Sequence, residues 1–128
     1  MMSPQCRSEV VALVTGRVAR RRAVLDWAAD YVGRDGTVHV VCDGALVPAM
    51  VSSTAAGMFI EADQVEQADF AQTAMLLAPY GCNWTWRHLP FGTGARAVAL
   101  ARRKGLLAVM PARSQIIRPS AVRIICPR

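Results

Sequence analysis

The chain alternates between short unbroken apolar runs and longer stretches in which apolar residues recur every three or four positions. Val10 to Val14 is a run of apolar and mostly β-branched residues, as in a parallel strand covered on both faces. Gly16 punctuates it. Beyond that glycine, Val24, Trp27, Ala28 and Tyr31 fall at i, i+3, i+4 and i+7 and share one helical face, while Arg20, Arg22, Asp26 and Asp30 lie off it. Gly33 and the Asp35-Gly36 turn then lead into a β-branched strand, Thr37 to Cys42.

A long apolar connection, residues 43 to 60, precedes a helical stretch from Glu61 to Ala78, where Val65, Ala68, Ala71, Met75 and Ala78 repeat at helical spacing. Pro79 and Gly81 end it. Asn83 to Leu89 alternates, with Trp84, Trp86 and His88 on one side and Thr85, Arg87 and Leu89 on the other, which suits a strand at a sheet edge. Gly92-Thr93-Gly94 opens a third helix with Ala97, Leu100 and Ala101 inward, Arg96, Arg102 and Arg103 outward, and Gly105 as C-cap. Leu106 to Met110 and Ala121 to Cys126 read as a fourth and a fifth strand. This order predicts an α/β fold, a doubly wound and mostly parallel five-stranded sheet.

Composition narrows the class. At 128 residues, with 53% hydrophobic and 19% charged residues, the chain is expected to form one globular domain over 1–128. The start has no signal-peptide layout, and residues 44 to 60 are too short and too broken by Gly, Pro, Ser and Thr for a membrane span, so a cytoplasmic protein is expected. Cys6, Cys42, Cys82 and Cys126 form no C-x-x-C pair, so neither disulfides nor a metal site is expected; Cys42 and Cys126 read as small core hydrophobes.

Charge is uneven. Residues 70 to 128 carry nine basic residues and no carboxylate, against six basic and nine acidic residues before them. That asymmetry fits an acidic protein partner or, as an alternative, nucleic acid. His39 and His88 read as packed or edge histidines without a triad partner, Trp84 and Trp86 as packing residues, and Met50, Met58 and Phe59 as a lid or as packing on the sheet. No nucleophile, base and orienting group can be assembled, so no catalytic residue is expected.

Three blocks, VVALVTGRVARRRAVLDWAADYV, LPFGTGARAVALARRKG and LLAVMPARS, taken in order, resemble the universal stress protein family over nearly the whole chain. The resemblance implies an adenine nucleotide alpha hydrolase-like, Rossmann-like fold with strand order 3-2-1-4-5. It also implies a role in the stress response, a nucleotide crevice between strands one and four, and homodimers.

The chain departs from the family's ATP-binding pattern. Thr15 stands where those members carry an Asp, and Pro111 to Ser120 contains no glycine to aim backbone amides at a phosphate. The usual ATP site is therefore expected to be lost and no cofactor is expected, ATP or AMP being the disfavoured alternative. Thr15, Gly16, Arg17, Arg113 and Ser114 would converge at the switch point and could bind a nucleotide or another anion. Ten residues between strands four and five leave the fourth helix shortened or absent, which would bare apolar sheet surface. A second copy is expected to cover it through Val122, Ile124 and Cys126.

Overall fold

A computed structural model describes residues 8–15, 18–43, 55–89, 92–111 and 122–127, and the side chains among these except those of 18 and 55–65. The elements run β1 (Glu9–Val14), α1 (Val18–Val32), β2 (Thr37–Asp43), α2 (Ala55–Leu77), a single 3-10 turn (Ala78–Tyr80), β3 (Asn83–Leu89), α3 (Thr93–Lys104), β4 (Leu107–Val109) and β5 (Ile124–Ile125). The five strands form one sheet in the order β3-β2-β1-β4-β5, and every pairing is parallel. The doubly wound arrangement is thus present, and β5 pairs within its own sheet. The expected shortening of a fourth helix falls on residues 112–121, outside the described residues.

β1 is central because it can be. From Val10 to Val14 every residue is buried, so both of its faces are apolar. One face packs Val10, Ala12, Val14, Val38, Val40 and Val109 against Val24, Leu25, Ala28, Ala29 and Val32 of α1 and Leu77 of α2. The opposite face packs Val11, Leu13, Val41, Ala108, Met110 and Val122 against Ala97 and Ala101 of α3. Each fully buried Val or Leu contributes about 1.5–3 kcal/mol, so these two layers supply the main driving force. Small alanines on α3 allow the helix to lie close to the sheet.

Two helix faces differ from the periodicity. On α1, Tyr31 is 49% exposed and the buried stripe runs through Leu25, Ala29 and Val32 as well as Val24 and Ala28. Along α2 and into the 3-10 turn, the Ala68, Ala71, Met75 and Ala78 positions of the repeat are all exposed, Met75 at 75%, and the Val65 side chain lies outside those described. Asp69, Gln72, Thr73 and Leu77 take the inner side instead. The reason is electrostatic: Arg21 of α1 is buried against this helix, and a buried guanidinium requires hydrogen-bonding partners more strongly than the sheet requires another alanine.

Turn chemistry follows the glycines. Gly105 ends α3 at φ 67°, a left-handed conformation that costs glycine little, and Leu106 N–H returns to Ala101 O at 2.8 Å. Arg102, Arg103 and Lys104 place positive charge at the negative end of that helix.

Candidate functional site

Strand order reverses between β1 and β4, so the crevice beyond their carboxyl ends is where open α/β sheets usually take ligands. Thr15 lies there, half-buried at the end of β1, and Pro111 is buried just past β4. Gly16, Arg17, Arg113 and Ser114 lie outside the described residues. Of the expected interface residues, Val122 is buried in its own subunit's core, and Ile124 and Cys126 are half-buried against the same cluster.

A cluster unforeseen from the sequence sits at the same carboxyl edge, under α1 and α2. Cys42 and His88 are partners in the parallel register of β2 and β3, so their side chains stand side by side on one face. Asp69 descends from α2 onto both. One oxygen, Oδ2, lies 3.7 Å from Cys42 Sγ and 3.3 Å from His88 Nε2. The other, Oδ1, accepts a hydrogen bond from Arg21, whose Nη1 also donates to Gln72 Oε1 at 3.2 Å. The two carboxylate oxygens therefore face different neighbours. Thr73 Oγ1 donates to the Asp69 backbone carbonyl at 2.9 Å and steadies that turn of the helix.

The cluster is largely buried. Cys42 is fully buried, and the His88 and Asp69 side chains are 9% and 13% exposed. Burial first, then the Asp69 charge, pushes the Cys42 thiol up to about 12, so without a further cation it is a thiol and not a nucleophile. Trp86 stacks on the His88 imidazole with ring centroids 5.3 Å apart, and Phe70 meets Trp86 edge-on at 5.2 Å, which fixes the imidazole plane. Trp86 Nε1 is buried with no hydrogen-bond partner among the described residues. His39 belongs to a separate pairing on the other face, with Glu9 Oε1 at 2.7 Å and Thr85 Oγ1 at 3.0 Å.

Sequence reasoning passed over this cluster because its members are spread over Arg21, Cys42, Asp69 and His88. One signal was present: Cys42 and His88 hold the same place, sixth of seven, in strands that turn out to pair in register.

On the opposite face, β3 and α3 border an open groove of about 280 Å³. Arg87, Arg96 and Arg103 line it together with Val41, Leu89 and Leu100. No carboxylate lines it, and among the described residues none of these three arginines forms an ion pair. Three forked donors lining one groove beside apolar side chains suit a phosphate or carboxylate. Trp84 and Trp86 lie on the other side of the sheet, packed with Phe70, so they offer no stacking platform beside these arginines.

No family model, no curated protein and no solved structure matches the chain. Among the described residues, no helix is long and apolar enough to cross a membrane.

Proposed function

We propose that this protein is a non-catalytic regulatory domain of the universal stress protein type that binds an anionic ligand, with the groove of Arg87, Arg96 and Arg103 as its principal contact. The observation that carries the reading is that three arginines, and no carboxylate, line one groove of a 3-2-1-4-5 sheet. Arginine is suited to this because its planar fork presents paired donors to phosphate or carboxylate oxygens. A ligand that bridges the groove and the β1–β4 crevice near Thr15 would combine both candidate regions. Binding rather than catalysis is supported by the Cys42 thiol, which in the metal-free cluster is held protonated by burial and by the Asp69 charge and so is no nucleophile. A second copy along the outer edge of β5 belongs to the same reading, since among the described residues β5 is an edge strand with β4 as its one strand neighbour. Its check is the mass in solution by sedimentation.

The test is thermal denaturation of nucleotide-stripped protein with ATP, AMP, cyclic AMP and inorganic phosphate, each with and without magnesium. A saturable rise in Tm is expected, because a ligand that binds only the native state stabilises it by about 2.7 kcal/mol at a hundred times its Kd. Arg96→Glu and Arg87→Glu should abolish the rise while leaving the unliganded Tm nearly unchanged, both side chains being exposed. A rise that survives both substitutions places the anion elsewhere. Absence of any rise, joined to salt-dependent retention on single-stranded DNA, would favour nucleic acid instead.

A further inference from the structure

We propose that Cys42, Asp69 and His88 form a binding site for a single Zn²⁺-class transition-metal ion, with Arg21 as the residue that orients the carboxylate. Three observations carry it. The first is ligand type: a thiol, an imidazole and a carboxylate on three separate elements are the donor set of zinc and cobalt, whereas magnesium and calcium take oxygen alone.

The second is spacing. With Zn–S near 2.3 Å and Zn–N or Zn–O near 2.0–2.1 Å, a tetrahedral centre sets its ligand atoms about 3.3 Å apart for O and N and about 3.6 Å apart for S and O. Asp69 Oδ2 lies 3.3 Å from His88 Nε2 and 3.7 Å from Cys42 Sγ, and all three donor atoms lie within 4.8 Å of one another. Two of the three donor separations already match edges of one tetrahedron, and the third lies within 4.8 Å.

The third is the shell behind them. Asp69 turns Oδ2 toward Cys42 and His88 while Arg21 holds Oδ1, as an outer partner does for a carboxylate that binds a metal through one oxygen. Gln72 holds Arg21 in turn, and the stacked Trp86 ring holds the imidazole plane. Arg21 is cationic, yet its bond to Asp69 is through Oδ1, whereas Oδ2 is the oxygen that faces Cys42 and His88. On binding, Cys42 releases its thiol proton to solvent and His88 carries its N–H on Nδ1, freeing Nε2 for the metal. Three protein donors leave one tetrahedral position for water.

Metal-stripped full-length protein titrated with Co²⁺ chloride reads this directly. The expected result is a near-ultraviolet thiolate-to-cobalt charge-transfer band with visible tetrahedral bands, saturating at one ion per chain and displaced by Zn²⁺ chloride. Cys42→Ser should remove the charge-transfer band, and His88→Asn should weaken Co²⁺ binding at least a hundredfold, each with an unchanged circular dichroism spectrum. Arg21→Lys, which keeps a cation on Oδ1, should weaken it about tenfold to a hundredfold, the usual effect of an outer-shell change. No band in the wild-type protein, or a band that persists in Cys42→Ser, overturns the proposal. The first result leaves a hydrogen-bonded network only, and the second places the metal on another cysteine. Neither outcome touches the arginine groove, which lies on the opposite face of the sheet.

Discussion

Arg21 of α1 and Asp69 of α2, 48 residues apart in the chain, form an ion pair whose side chains are only 7% and 13% exposed. In the interior a charge that loses its partner costs more than an exposed pair ever contributes, so the pair decides which side of α2 turns inward. Asp69→Ala is expected to destabilise the protein by about 3 kcal/mol, as removal of one partner from a buried pair does. Urea denaturation of Asp69→Ala reads that loss, and urea denaturation of Arg21→Met, of Asp69→Leu and of the double variant carrying both measures the coupling. Equal and additive losses would show that the two side chains do not interact.

The described cysteines should differ sharply in reactivity. In metal-stripped protein Cys42, fully buried and held near 12, is expected to alkylate at least about a hundredfold more slowly than the half-exposed Cys82. Differential alkylation read by mass spectrometry checks this. Comparable rates would mean that the cluster opens readily to solvent.

Tyr80 ties the end of α2 to α1 through a hydrogen bond from its hydroxyl to Asp26 Oδ1 at 2.9 Å. That bond, followed by burial and the nearby carboxylates, raises the tyrosine above its ordinary 10.0. A pKa raised by folding stabilises the protein fully below the unfolded value, and the contribution is lost as pH climbs through the folded one. Tyr80→Phe is therefore expected to lower stability by about 1 kcal/mol at neutral pH. The difference from wild type should shrink only above pH 10.0, and denaturant melts across that range would show it.

Gly36 is required by packing rather than by backbone angle. A Cβ at this position would lie 2.3 Å from Val32 O and 2.6 Å from Ser8 O, both backbone atoms that cannot swing aside. Gly36→Ala should cost about 1–3 kcal/mol by overpacking the junction where β1, α1 and β2 meet. At Gly92, where φ is 71° but nothing lies within 4 Å, the same substitution should cost about 1 kcal/mol by backbone strain alone. Thermal melts of the two variants separate the mechanisms.

The amino-acid sequence by itself determined the order of the elements and their winding, although α2 begins at Ala55, inside the stretch 43 to 60 that reads as a connection. Apolar runs such as Val10 to Val14, the alternation through Asn83 to Leu89 and the closing glycine at 105 are local signals, set by the chain's own period and backbone freedom. Right-handed crossovers then left few ways to order five parallel strands.

Only the tertiary structure decided which face of α2 is buried and which side chains meet at the carboxyl edge. Helical spacing identifies a stripe of Ala68, Ala71, Met75 and Ala78, but it cannot register the demand of a guanidinium arriving from a different helix. That demand turned Asp69 inward and the alanine stripe out. In the same way Cys42 and His88 become neighbours through strand register, and Arg87, Arg96 and Arg103 become one groove through the packing of α3 on β3. These relations depend on distances between segments far apart in the chain, and such distances exist only once the sheet has formed.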